Sequence, residues 1–142
     1  MALEIKRDHD ATALVASAAR TETGNGTSVR LPGMTNAMAF TLAVTADEST
    51  AADLLDVYVQ TKLDGTNWTD VAHFTQHAGN TGAARYITKV TAQLATAEFE
   101  VGTALGAAAV RNLLGDEWRV RWAVVDDSQA ASFTFAVTAC PM

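Results

Sequence analysis

His73 and His77 stand four residues apart, the spacing that sets two imidazoles on one face of a helix to hold a metal ion. On an extended chain the same spacing separates them by about 13 Å at ~3.3 Å per residue. They therefore read as two surface histidines flanking a strand end, and no metal is expected. Cys140, followed by Pro141, would need a paired base and an oxyanion site to act as a nucleophile. It reads instead as a small, half-buried hydrophobe. The carboxylates Asp47, Glu48, Asp53 and Asp56 lack the every-second-residue spacing of a calcium loop and read as solvated loop residues. The sequence contains no glycine-rich phosphate loop, no Gly-x-Ser-x-Gly elbow and no His-Glu-x-x-His. No catalytic, cofactor-binding or metal-binding set is expected, which leaves binding and packing against other macromolecules.

The tryptophans offer a different chemistry. Exposed on a β-sandwich, Trp68, Trp118 and Trp122 could stack sugars. Trp118 and Trp122 share the parity of Val120 and Val124, which favours the core for both. Trp68 opens a strand beside an Asp-Gly turn and can be placed either way. Charge excludes another class of partner. Ten Lys+Arg against sixteen Asp+Glu give a net charge of −6 with no basic block, whereas phosphate binding needs clustered positive charge. No nucleic acid is expected. Nor is a membrane, because no long apolar run or secretion-type leader occurs. Synthesis in the cytoplasm follows as the expectation. A lone cysteine excludes an internal disulfide.

Period-two patterning must position these residues. Met38, Phe40, Leu42 and Val44 alternate with small polar or alanine neighbours. Leu55, Val57 and Val59 alternate with Asp56, Tyr58 and Gln60; Trp118, Val120, Trp122 and Val124 with Arg119, Arg121 and Ala123; and Phe133, Phe135 and Val137 with Thr134, Ala136 and Thr138. Alternate side chains of an extended chain face opposite sides, so each run has one buried face. The expected fold is all-β, with about eight antiparallel strands near 11–20, 27–31, 36–45, 54–63, 67–76, 84–94, 117–125 and 132–139. They would pack as a two-sheet, jelly-roll-like sandwich. The chain has 28 alanines and only 7% aromatics, so the core must rest on Phe40, Leu42, Val57, Val59, Trp122, Phe133 and Phe135.

Turn chemistry separates the runs. Gly24-Asn25-Gly26 offers positive-φ positions, and Pro32-Gly33 and Asp126-Asp127-Ser128-Gln129 mark further turns. Asp64, Gly65 and Asn67 form a structural turn that fixes the register of a central hairpin, with Gly65 at positive φ. Two segments do not alternate. Residues 1–10 form an N-terminal arm ahead of a single domain spanning 11–142. The connection near 96–116 has Leu105, Ala109 and Leu113 four apart with Gly115 beyond them, spacing that allows a short helix. Neither segment has a strand partner in this reading, so both are candidates for contact with neighbouring subunits. The interface residues expected are Leu3, Ile5, Lys6 and Arg7 of the arm and Leu105 and Arg111 of the connection. The arm's mixture of apolar and charged residues suits a strand added to a neighbour's sheet edge.

The stretch Val57-Tyr58-Val59-Gln60-Thr61-Lys62-Leu63-Asp64-Gly65-Thr66-Asn67-Trp68-Thr69-Asp70-Val71-Ala72-His73-Phe74 resembles a hairpin of small virion proteins encoded by tailed bacteriophages and prophages. Arg111 to Trp122, followed by Ser132 to Val137, looks like the closing hairpin of the same group. The stretches that carry the resemblance make up about a quarter of the chain. It implies a capsid decoration (cement) protein, a small and often trimeric β-sandwich. Such a protein binds the major capsid protein on the outside of the phage head and stabilises the lattice. No catalytic residues come with that family. The arm is short beside those of many decoration proteins, which leaves a neck or tail position open, and a receptor- or carbohydrate-binding component of the virion is the alternative.

Overall fold

The computed structural model describes residues 11–31, 36–47, 50–92, 98–126 and 131–142. Pro32-Gly33, most of the Asp126–Gln129 turn and the arm residues Leu3, Ile5, Lys6 and Arg7 lie outside the described residues. The described residues form ten strands: β1 (Thr12–Arg20), β2 (Gly24–Asn25), β3 (Val29–Arg30), β4 (Ala37–Asp47), β5 (Leu54–Lys62), β6 (Trp68–His73), β7 (His77–Ala78), β8 (Ala84–Thr91), β9 (Glu117–Val125) and β10 (Phe133–Pro141). They form two antiparallel sheets. The first has the order β1-β10-β4-β8; the second has the order β2-β9-β5-β6, with β3 also on β9 and β7 also on β5.

The pairing is nested. β1 pairs with β10, β2 and β3 with β9, β4 with β8, and β5 with β6 and β7. One long hairpin has thus been folded over into two layers, which is the jelly-roll arrangement. Its tip is the turn between β5 and β6. There Gly65 has φ 76°, the left-handed region that glycine enters without steric cost.

The alternating runs supply the core. Met38, Phe40, Leu42 and Val44 of β4 meet Leu55, Val57 and Val59 of β5, Trp118 and Val120 of β9, and Phe133, Phe135 and Val137 of β10. Each such side chain stabilises by about 1.5–3 kcal/mol when fully buried. Phe40 packs on Trp118 with ring centroids 5.3 Å apart, and Trp122 meets Phe135 edge-on at 5.7 Å. Trp122 is only half-buried. Its rim reaches outward, where Nε1 donates to the Glu22 carbonyl at 2.8 Å.

Several expectations about local structure are corrected. Gly24 and Gly26 do not take positive φ; they are sites of close approach. A Cβ on Gly24 would lie 3.0 Å from the Trp122 ring, and one on Gly26 would lie 2.5 Å from Val15 Cγ1. The expected strand near 27–31 is reduced to β3, and the expected turn at 24–26 instead contains the short strand β2; both lie along β9. The connection forms no helix among its described residues. Val110 bridges Ala72, His73 N–H donates to the Ala109 carbonyl at 3.1 Å, and Arg111 N–H donates to the Val71 carbonyl at 2.8 Å. A short piece of the connection, Ala109–Arg111, therefore lies along the outer edge of β6, a strand partner that local sequence could not reveal. Gly115 ends no helix: a Cβ there would collide with the Thr61 side chain and lie 2.8 Å from the Lys62 carbonyl.

Candidate functional site

Polar side chains gather in two places. The first is the outer face of the second sheet. On β5, Tyr58 and Gln60 alternate with the buried Val57 and Val59; on β9, Arg119 and Arg121 alternate with Trp118 and Val120. Asp70 of β6 is the hub. Its carboxylate accepts from Gln60 Nε2 at 2.7 Å, Arg121 at 3.2 Å and Leu105 N–H at 3.3 Å. Gln60 Oε1 in turn accepts from Arg119 Nε at 2.7 Å. The Arg119 guanidinium lies 4.4 Å from the Trp68 ring centre, with Lys62 Nζ at 4.7 Å, and Arg121 sits 3.7 Å over Tyr58. Arg119 is pulled below its ordinary pKa by burial and then by the neighbouring Arg121 charge, with Asp70 opposing.

This network holds the connection. His73 Nδ1 donates to the Leu105 carbonyl at 2.8 Å, and His73 Nε2 meets Asp56 Oδ1 at 2.8 Å. The His73 ring stacks on Tyr58 at 3.9 Å. Arg111 donates to the Asp70 and Thr103 carbonyls at 3.1 and 3.2 Å and lies 4.1 Å over Phe99. Leu105 and Arg111 are thus engaged within the chain. A cleft of about 240 Å³ remains between Trp68, Asp70, Arg121 and the turn Gly102–Ala104.

The second cluster lies where the two sheets meet near β8. His77 is fully buried. Its Nε2 stands 2.8 Å from Asp47 Oδ2 and its Nδ1 3.0 Å from the Tyr86 hydroxyl, while Gly82 N–H donates to the same Asp47 oxygen at 2.9 Å. The order carboxylate, imidazole, hydroxyl has the form of a nucleophile relay. The electrostatics oppose that use. Burial, followed by the Asp47 charge, raises the Tyr86 phenol above its ordinary pKa, so the phenolate is disfavoured. At His73 both ring nitrogens are taken, by a carboxylate and a carbonyl. Each imidazole clips elements together: His77 ties β4 to β8, and His73 ties β5 to the connection.

The reading of both histidines as surface groups is corrected, since His73 is 5% and His77 0% exposed. Asp47, Asp53 and Asp56 are likewise not solvated loop residues. Asp47 and Asp56 hold the two imidazoles, and the fully buried Asp53 accepts from Thr50 N–H at 2.9 Å. Glu48 lies outside the described residues. The partners of these aspartates sit on strands whose order the sequence does not reveal. Trp118 is fully buried as expected, with no hydrogen-bond partner for Nε1 among the described residues, and Trp68 lies half-buried on the outer face. Asp64 accepts from Thr66 N–H, Asn67 N–H and Asn67 Nδ2 at 2.9, 2.7 and 2.7 Å. Among the described residues no three His, Cys, Asp or Glu side chains group to hold a metal ion.

The four sheet edges differ. The β1 edge is bulged twice: Leu14 is extra between the pairs Ala13↔Thr138 and Val15↔Val137, and Ala16 and Ser17 together stand against the single Ala136 before Ala18↔Phe135. The Arg20 guanidinium closes the second bulge by donating to the carbonyls of Ala16, Ala18 and Phe135 at 2.8, 3.0 and 2.7 Å. In the second sheet, β9 carries only the two-residue strands, and β6 is covered by the connection. β8 is the remaining edge. Among the described residues no strand lies along its outer side, and Ile87 at its middle is 75% exposed. Compared with known proteins, the chain matches no family model, no curated protein and no solved structure.

Proposed function

We propose that this chain is a structural protein of a tailed-bacteriophage virion, a decoration (cement) protein that binds the outside of the head and stabilises the major capsid lattice. The observation that carries the reading is the division of labour between side chains and edges. The histidines and aspartates weighed for chemistry, and the arginines beside them, are spent on joining strands, while β8 from Arg85 to Lys89 has no strand along its outer side among the described residues, its far end at Thr91 being held by Asn112 Oδ1 at 3.2 Å. A protein that cross-links a shell needs such a rigid scaffold with an edge to share, and the net charge of −6 keeps free copies soluble before assembly. The resemblance of the β5–β6 hairpin to those of phage virion proteins supplies the setting. The test is electron cryomicroscopy of heads assembled with and without the chain. Sandwich-sized density on the outer head surface should be present with the chain and missing without it. Density lost instead from the neck or tail, or from nowhere, would overturn the head assignment.

A second reading, a carbohydrate-binding component, draws on Trp68, half-buried beside a cleft with polar groups around it. Glycan-array binding abolished by Trp68→Ala would favour it. An unchanged array signal would remove it.

A further inference from the structure

We propose that the β8 edge receives the N-terminal arm of a second copy of this chain, so that copies join by strand addition. The edge itself specifies the pattern of its guest. Arg85, Ile87 and Lys89 face out, with Tyr86, Thr88 and Val90 more buried between them. An incoming strand should therefore carry acidic groups two residues either side of a central position, to stand opposite Arg85 and Lys89. The sequence Glu4-Ile5-Lys6-Arg7-Asp8 has that spacing. With Lys6 opposite Ile87, Glu4 and Asp8 fall opposite the two cations whichever way the strand runs.

The other face of such a strand also has a place to go. A cleft of about 310 Å³ lies beside β8, lined by His73, Phe74, Tyr86, Thr88 and Ala108 among others. In the same register Ile5 and Arg7 turn toward it. Two β8 edges meeting each other make a poorer match. Antiparallel pairing centred on Ile87 sets Arg85 opposite the second copy's Lys89 twice, and like charges directly opposite are destabilising.

Reach decides between a chain's own arm and another copy's. Thr12 pairs with Ala139, Ala139 with Phe40 and Phe40 with Thr88, so β1 begins level with β8 but on the far side of its sheet. A strand outside β8 lies four strand spacings from β1, about 19 Å at ~4.8 Å each. Asp8 to Thr12 is four residues, which span at most about 14 Å. The arm cannot reach its own β8 edge in this register and must serve a neighbour.

The test needs only the purified full chain and its mass in solution by light scattering. The native chain should be oligomeric. Arg85→Glu with Lys89→Glu should weaken self-association roughly tenfold or more as two attractions become repulsions, as should Glu4→Lys with Asp8→Lys. Combining all four substitutions should restore it. The arm substitutions change no residue of the ten described strands, so they decide the matter even if the β8 pair impairs folding. A monomeric native chain overturns the proposal, as does either reversal that keeps the native mass or a fourfold variant that stays dissociated. None of these outcomes depends on a capsid, so the head imaging stands or falls separately.

Discussion

At the scale of single residues, Asp64 and Gly65 carry the tip of the folded-over hairpin. Three donors hold the Asp64 carboxylate at a pKa of about 2, below its ordinary 3.8, led by Asn67 N–H. A carboxyl group whose folded pKa is depressed adds stability above its unfolded pKa and loses it as pH falls through the folded one. The melting-temperature difference between the native chain and Asp64→Ala should therefore be widest above pH 4 and narrow toward pH 2. A difference that stays constant over that interval would remove the carboxylate from the argument. Gly65→Val forces a β-branched residue into the left-handed region and should cost about 1–2 kcal/mol, read as a lower melting temperature. This turn was legible because its chemistry is local. The burial of His73 and His77 was not, since it depends on Asp56 and Asp47 arriving from strands far away in sequence.

Elements raise the question of what the polar network does for the connection. Asp70 gathers donors from β5, β9 and the Leu105 backbone at once. Asp70→Ala would leave these partly buried donors without their acceptor, a loss of about 1–3 kcal/mol. Hydrogen exchange should locate the damage, with faster exchange at the amides of Leu105 and Arg111 than in β4 or β10. Uniform exchange changes would mean that the connection is not held by this hub. The core strands answer to a simpler rule. Phe135→Ala removes a fully buried ring that also packs under Arg20 and should cost about 3–5 kcal/mol, seen as a large drop in denaturation midpoint. The alternation of β4, β5, β9 and β10 announced such positions directly. β2 and β3 could not be read in this way, because two residues carry no period. The pairing of Ala109–Arg111 with β6 was hidden too, since a partner strand, not the connection's own pattern, dictates it. Alanine's abundance also becomes intelligible here. Ala39 and Ala43 of β4 and Ala136 of β10 lie on the outward side of the first sheet, between the large core residues.

For the whole molecule, the nested pairs set the order in which contacts can form. The β5–β6 pair closes over a short turn, whereas β1 and β10 meet from opposite ends of the sequence. Folding dominated by such distant pairing is slow, typically milliseconds to seconds or longer. The adjacency of Thr12 and Ala139 has a further consequence. The strand path is topologically a ring, cut once beside the β1–β10 pair. Cutting it instead between Gly65 and Thr66, and linking the native ends through a short flexible bridge, should give a circular permutant with the same ten strands and the same neighbours. It would be less stable for want of the Asp64 turn, yet natively folded by circular dichroism. Its history of assembly would be turned inside out, because β1 and β10 would become the local hairpin and β5 and β6 the last pair to close. Failure of that permutant to fold would mean that the tip is the seed from which the roll must start.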